Sequence, residues 1–151
     1  MKDKRQSGPL HILLADDDTD DRFFFKKALE EISIVFRLTT VNNGEDLINY
    51  LTENSDHLPD VLFLDLSMPR KTGFECLIEI KENEKLKDLF VIMFSTSFSK
   101  DIFLEQNLIN TLSKMGAQDY IRKPADFVQL KEVIQKALIR MVERAGEAGN
   151  E

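Results

Sequence analysis

The chain has 151 residues, of which 42% are hydrophobic and 31% are charged, a composition typical of one soluble globular domain. Its formal net charge of -7 disfavours direct binding to the phosphate backbone of a nucleic acid. The single cysteine, Cys76, excludes an intrachain disulfide and a thiolate metal cluster. No apolar run reaches membrane-spanning length, and the basic N-terminus lacks the apolar stretch of a signal peptide, so we predict a cytoplasmic protein without membrane insertion.

The composition along the chain predicts one domain between two flexible ends. Residues 1–9 end in Gly8-Pro9 and are expected to form a flexible leader. Residues 145–151, with the sequence AGEAGNE, are expected to form a flexible tail. No repeat, low-complexity segment or linker interrupts the residues between them, so we predict a single domain over residues 10–144.

Short apolar runs alternate with amphipathic stretches along this domain. In chain order the runs are Ile12–Ala15, Arg37–Val41, Val61–Leu64, Phe90–Phe94 and Tyr120–Ile121. Continuous apolar runs are typical of strands that are buried on both faces. The apolar positions that we predict for the inner faces of the helices are Phe24, Ala28 and Ile32; Leu47, Ile48 and Leu51; Phe74, Leu77 and Ile78; Phe103, Leu108, Leu112 and Met115; and Phe127, Leu130, Ile134, Ala137, Leu138 and Met141. Five strand–helix units predict an α/β fold, a parallel sheet covered by helices on both sides.

Polar residues follow the predicted strands at the edge where such a sheet binds its ligands. Three carboxylates (Asp16, Asp17, Asp18) follow the first strand and Asp65 follows the third. The fourth strand is followed by two hydroxyls and the fifth by an ammonium, contributed by Ser95, Thr96 and Lys123. We therefore expect these groups to converge on one edge of the sheet.

The convergence of these groups predicts a chemistry. Neighbouring carboxylates repel one another, and an oxygen-only donor set with room for water and phosphate favours Mg²⁺. Asp65 is then placed to attack a phosphoryl donor as a nucleophile. The metal, Lys123 and the Ser95 hydroxyl are placed to neutralise the charge on the transferred group.

Four motifs at this edge resemble those of the receiver domains of two-component response regulators. They are ILLADDD, LFLDLSMPRKTG, VIMFST and DYIRKP, and the match covers about residues 10–143. The resemblance implies a flavodoxin-like, doubly wound five-stranded parallel sheet of order 2-1-3-4-5 with five helices. It also implies a stand-alone signalling protein, without a separate enzymatic activity, that catalyses only its own phosphorylation and dephosphorylation.

The resemblance implies a role for individual residues. Asp65 is similar to the phosphoacceptor of the family, and its metal ligands match Asp16, Asp17, Asp65 and the backbone carbonyl of Ser67. Ser95 and Lys123 match the catalytic hydroxyl and lysine, and Tyr120 matches the switching aromatic. Pro124 implies a cis peptide bond after the lysine, and the loop that positions the nucleophile matches Met68, Pro69 and Gly73.

The chain also departs from the family pattern at two positions beside the phosphoacceptor. Ser67 replaces a larger polar residue and Thr96 replaces a small one, so both are expected to affect the access of water to the phosphoryl group. The segment between Ser95 and Gly116 is longer than is usual in the family, by about one and a half helical turns.

Phosphoryl transfer from a histidine kinase or a histidine phosphotransfer protein is the function that this resemblance implies. The phosphorylated form is expected to bind a downstream protein through the fourth helix, fifth strand and fifth helix, a face that is also the candidate surface for a homodimer. Two alternatives remain open from the sequence. One is a haloacid-dehalogenase-like phosphatase with Asp16 as nucleophile and Asp18 as acid, and the other is a receiver-fold binding module that is never phosphorylated.

Overall fold

The computed structural model describes residues 8–96 and 101–149 of the chain. Five strands and five helices alternate along it without exception. In chain order they are β1 (Leu10–Ala15), α1 (Thr19–Glu31), β2 (Phe36–Val41), α2 (Gly44–Glu53), β3 (Val61–Leu64), α3 (Gly73–Glu82), β4 (Val91–Ser95), α4 (Ile102–Lys114), β5 (Asp119–Arg122) and α5 (Phe127–Gly149).

All five strands are parallel and lie in the order β2-β1-β3-β4-β5, which confirms the predicted sheet. The register places Ala15 at the end of β1 level with Leu64 at the end of β3. It also pairs Ser95 of β4 with Arg122 of β5. The residues that follow these strands therefore emerge at one edge of the sheet, as the sequence predicts.

Each face of the sheet carries its own apolar core. Alternate residues of a strand point to opposite faces, so Ile12 and Leu14 enter one core while Leu13 and Ala15 enter the other. The first core packs against α1 and α5, and the second packs against α2, α3 and α4. Cys76 is fully buried in the second core, where burial raises the pKa of its thiol to about 12, so it acts as a small apolar residue.

Polar caps define where the helices begin. The side chains of Asp18, Asn43 and Asp101 accept hydrogen bonds from backbone N–H groups in the first turns of α1, α2 and α4. Thr72 and Glu75 form a reciprocal capping box at the start of α3. Asp18 therefore has a structural role at the start of α1.

The helix faces differ from the prediction at three apolar positions. Phe24 is 45% exposed because the buried face of α1 runs through Phe25, Ala28 and Leu29. The predicted face used a spacing of four residues, which departs from the 3.6 residues of a helical turn and so moves away from the buried side. Phe103 is 80% exposed. It lies five positions before the buried Leu108, and this spacing places its side chain away from the inner face of α4. The third exception is Ile78, which lies outside the buried face of α3.

Two further expectations are corrected near the C-terminus. Helix α5 continues to Gly149, five residues beyond the expected domain boundary at 144, because the segment contains no proline and each added residue gains a backbone hydrogen bond. The Lys123–Pro124 peptide bond is trans, since the described residues contain no cis peptide bond. Trans is the form that X–Pro bonds ordinarily prefer. The segment between Ser95 and Gly116 was predicted to be longer than usual. Residues 97–100 of this segment lie outside the described residues, and helix α4 accounts for thirteen of its other residues.

Candidate functional site

Three carboxylates meet at the carboxyl edge of the sheet. Asp16 and Asp17 directly follow β1, and Asp65 directly follows β3. One oxygen atom from each of the three lies within 4.8 Å of the others. Asp16 and Asp65 are buried and Asp17 is exposed, so the cluster is closed on the protein side and open toward solvent.

The two oxygens of Asp65 have different partners. The hydroxyl of Ser95 donates a hydrogen bond to Oδ1 over 3.2 Å, and the backbone N–H of Ser67 donates to the same oxygen over 3.3 Å. The ammonium of Lys123 lies 3.4 Å from Oδ2. Below the side chain, a Cβ atom on Gly73 would lie 2.2 Å from the carbonyl oxygen of Asp65, so only glycine allows α3 to begin this close to the strand end.

Lys123 is the cation of the site. Its backbone N–H donates to the carbonyl of Ser95 over 2.8 Å, which ties the loop after β5 to the end of β4. Its Nζ lies 2.6 Å from Oδ2 of Asp16 and 2.9 Å from Oδ2 of Asp21. The ring of Phe94 lies below the ammonium, with its centroid 5.3 Å from Nζ. The lysine is thus held in the interior of the site, although its side chain is long and flexible.

Burial sets the electrostatics of the site. It raises the pKa of Asp16 to about 6, although hydrogen bonds from Lys123 and the amide of Asp18 oppose the shift. Burial likewise raises the pKa of Asp65, with the charge of Lys123 as the main opposing influence. Burial lowers the pKa of Lys123, but its contacts with Asp16 and Asp21 outweigh this and leave it above its usual range. Lys123 therefore stays charged, whereas its contacts do not fully offset the effect of burial on the carboxylates of Asp16 and Asp65.

The donor set of the cluster fits a hard divalent cation. Its three side chains offer oxygen ligands only, and such a set favours Mg²⁺ or Mn²⁺ over softer metals. Two of the carboxylates are buried with raised pKa values, and a bound cation would favour their ionised form.

A solvent-facing cleft is lined by Ser95 and by Leu66 and Ser67, the two residues after Asp65. Thr96 and Ser67, the two residues expected to affect the access of water, are both exposed and lie on its wall. The residues that line the cleft are Asp17, Leu66, Ser67, Met68, Pro69, Thr72, Phe74, Ser95 and Thr96. The structure therefore places a solvent-facing cleft next to the Ser95 hydroxyl, which is bonded to Asp65.

Tyr120 lies on β5 and is half-buried. Its hydroxyl donates a hydrogen bond to Oε1 of Glu105 on α4 over 2.8 Å. Burial and this hydrogen bond raise the pKa of the Tyr120 hydroxyl above its usual range, so it remains a donor. The predicted switch residue is thus linked to the helix that it is expected to affect.

Sequence reasoning missed Asp21 and Glu105 as parts of this site. Asp21 lies in the first turn of α1, and nothing in its local sequence sets it apart from its neighbour Asp20. Its partner Lys123 lies 102 residues away, so the contact follows from the fold and not from a local motif.

The geometry disfavours the phosphatase alternative. Asp16 is fully buried and bonded to Lys123, so it lacks the access that a nucleophile needs. Asp18, the acid in that alternative, instead caps α1 by accepting a hydrogen bond from the backbone N–H of Asp21.

Among the described helices, none has the length and apolar character to cross a membrane.

Comparisons with known proteins agree with the fold. The family model for the response regulator receiver domain matches residues 12–135. The two-component response regulator ORR12 of rice (Oryza sativa subsp. japonica) is 30% identical over 127 residues, which cover 82% of this chain and 94% of that protein. The crystal structure of the phosphorylated cyanobacterial phytochrome response regulator RcpA has a TM-score of 0.72 at 28% identity and covers 86% of this chain and 91% of its own. The Mn²⁺-bound response regulator Rcp1 also has a TM-score of 0.72, at 26% identity, with coverage of 85% and 91%. The chain belongs to the response regulator receiver domain family of two-component signal transduction.

Proposed function

We propose that Asp65 is the residue that accepts the phosphoryl group. The observation that carries this assignment is the set of partners around its carboxylate. Ser95 and the Ser67 amide hold one oxygen, and Lys123 lies beside the other. Ser95, the hydroxyl partner of Asp65, and the two residues that follow Asp65 line the solvent-facing cleft, whereas Asp16 is fully buried.

The transfer forms one bond and breaks another. A carboxylate oxygen of Asp65 attacks phosphorus, and the bond from phosphorus to the nitrogen of a phosphohistidine, or to the acyl oxygen of acetyl phosphate, breaks. The leaving group departs with the electron pair. Charge on the transferred oxygens is then stabilised by the Lys123 ammonium and the Ser95 hydroxyl, which already face this carboxylate.

Asp16, Asp17 and Asp65, with the backbone carbonyl of Ser67, are the residues that would hold Mg²⁺. A bound Mg²⁺ would supply positive charge that offsets repulsion between the carboxylates and the incoming phosphoryl group. Supporting this choice are the oxygen-only cluster and the Mn²⁺-bound structure of the relative Rcp1.

The phosphoryl donor in this proposal is a histidine kinase or a histidine phosphotransfer protein in the cytoplasm. Family membership supports this class of donor. The chain catalyses only the gain and loss of its own phosphoryl group and transmits the signal by binding a downstream protein. The binding face consists of α4, β5 and α5, and the same face serves any homodimer.

Treatment with acetyl phosphate tests the assignment. We expect intact-mass spectrometry to show one labile phosphoryl addition in the presence of Mg²⁺ and none in the presence of EDTA. Asp65→Asn should abolish the addition. If Asp65→Asn still accepts the group and Asp16→Asn does not, the phosphatase reading is correct and the proposal is wrong.

A further inference from the structure

Lys123 makes contacts with three carboxylates that do not have equal roles. Its Nζ lies 2.6 Å from Asp16, 2.9 Å from Asp21 and 3.4 Å from Asp65. Asp16 and Asp65 belong to the cluster that is suited to a cation, and Asp21 does not. Asp21 is therefore the partner of Lys123 whose contact does not compete with metal binding.

A lysine at such a site needs an independent anchor. Its ammonium is a compact charge on a stem of four methylene groups with many rotamers, so its position is set by its hydrogen-bond partners. If Asp16 and Asp65 were its only anchors, binding of a cation by those carboxylates would weaken both contacts. Asp21 lies on the first turn of α1, whose start is fixed by the Asp18 cap.

We propose that Asp21 is a positioning residue that holds the Lys123 ammonium in place to meet the phosphoryl group on Asp65. Asp21 accepts a hydrogen bond from Nζ and lies outside the carboxylate cluster. This inference rests on the proposed role of Lys123 and Asp65.

The structure also offers a matched control. Asp20 lies beside Asp21 in the same first turn of α1 but is exposed. Asp20→Ala removes the same charge from the same turn. It therefore corrects for the change in net charge, for the attraction of anionic donors and for the interaction with the helix dipole.

Beryllofluoride, an analogue of the phosphoryl group, gives the decisive measurement. At saturating Mg²⁺ we expect Asp21→Ala to weaken beryllofluoride binding by about five- to ten-fold relative to Asp20→Ala, and to slow labelling by acetyl phosphate by a similar factor. Asp21→Asn retains an oxygen acceptor and should recover most of the affinity. The affinity for Mg²⁺ alone should change less than two-fold in every variant, because the cation cluster is intact.

Three other outcomes would overturn the inference. Equal beryllofluoride affinity in the alanine variants of Asp21 and Asp20 would show that the contact has no positioning role. A parallel loss of Mg²⁺ affinity or of thermal stability in Asp21→Ala would indicate a structural role instead. Failure of Asp21→Asn to recover affinity would exclude the hydrogen bond as the cause. If the wild-type protein itself binds no beryllofluoride, the proposed function fails, and this result is distinct from the others.

Discussion

Two side chains at the edge of the site, Thr96 and Ser67, are predicted to affect how long the phosphoryl group persists. Hydrolysis of an acyl phosphate requires a water molecule to reach phosphorus in line with the leaving carboxylate. Thr96 is exposed on the wall of the cleft beside Ser95 and is bulkier than the small residue that is usual in the family. Ser67 on the same wall is small and leaves space, so the two positions act in opposite directions.

Replacing Thr96 with alanine should shorten the lifetime of the phosphorylated form. We expect Thr96→Ala to lower the barrier by less than about 1 kcal/mol, which corresponds to a rate increase of at most about five-fold. Thr52→Ala, on an exposed face of α2, is the control. The decay can be followed by phosphate release after removal of the donor. Equal or slower decay in Thr96→Ala would refute the steric argument.

His11 should make the stability of the protein depend on pH. Its side chain is buried between Arg37, which donates to Nδ1, and Thr39, which then accepts from Nε2–H. Burial, followed by the charge of Arg37, lowers the pKa of His11 below the ordinary 6.5. The folded state thus binds this proton less tightly than the unfolded state.

The contribution of His11 to stability is present above pH 6.5 and is lost as the pH falls toward the lower folded pKa. We expect urea denaturation to show that wild type loses more stability between pH 7.5 and about pH 5.5 than His11→Gln does. His57→Gln, a substitution of an exposed histidine, is the control. A pH dependence that is identical in wild type and His11→Gln would contradict the assignment.

At the scale of secondary-structure elements, the junction between β3 and α3 positions the nucleophile. The N–H of Gly73 donates to the carbonyl of Leu66 over 2.9 Å, and its missing side chain leaves space for the backbone of Asp65. A methyl group here would meet backbone atoms, which cannot move without displacing the start of α3. The position of Asp65 thus depends on a glycine eight residues away.

Gly73→Ala should therefore destabilise the protein and impair phosphorylation together. We expect a loss of about 2–4 kcal/mol in the free energy of unfolding, as for other large backbone and packing clashes. Gly146→Ala is the opposite control, because a Cβ there meets nothing within 4 Å in a helix, and it should stabilise by up to about 1 kcal/mol. Chemical denaturation measures both. A Gly73→Ala protein with wild-type stability would show that the close approach is not required.

Secondary-structure elements were predicted most reliably where the sequence signal came from neighbouring residues. Strands such as β1 and β3 were predicted because a continuous apolar run ends abruptly in carboxylates. The register then brought Asp16 and Asp65 together, as the parallel topology requires. The inner face of α1 was harder to predict, because Phe24 and Phe25 are adjacent and equally apolar, and only packing against Phe63 and Phe94 selects Phe25.

Contacts between distant elements were the part of the site that the sequence did not reveal. Asp21 and Glu105 are ordinary acidic residues on helices until the fold places them against Lys123 and Tyr120. Charged residues on exposed helix turns are common, and nothing in the sequence distinguishes these two from Asp20. Family resemblance supplied the assignments of Ser67 and Tyr120, which their local sequence alone would not have given.

At the scale of the whole molecule, the site and the α4–β5–α5 face are connected through short links. Ser95 is the last residue of β4 and Lys123 directly follows β5, and the hydroxyl of Tyr120 on β5 donates a hydrogen bond to Glu105 on α4. A phosphoryl group on Asp65 attracts the Ser95 hydroxyl and the Lys123 ammonium. Movement of Ser95 would open space beside β5 that Tyr120 can fill by turning inward, at the expense of its bond to Glu105.

Beryllofluoride should therefore change more than the immediate site. With Mg²⁺ present, we expect amide hydrogen exchange to change in residues 96–122 and in α5, and self-association or partner binding through this face to change with it. Asp65→Asn treated in the same way is the control. Changes confined to the neighbourhood of Asp16, Asp17 and Asp65 would leave the phosphoryl chemistry intact and contradict the switch.

The most direct test of the central claim is to locate the phosphoryl group chemically. After treatment with acetyl phosphate and Mg²⁺, reduction with borohydride converts a phosphorylated aspartate to homoserine, which peptide mass spectrometry can identify. We predict homoserine at position 65 and unmodified aspartate at positions 16 and 17, with no conversion in the absence of Mg²⁺. Homoserine at position 16, or equal conversion with and without Mg²⁺, would contradict the assignment of Asp65 as the phosphoacceptor.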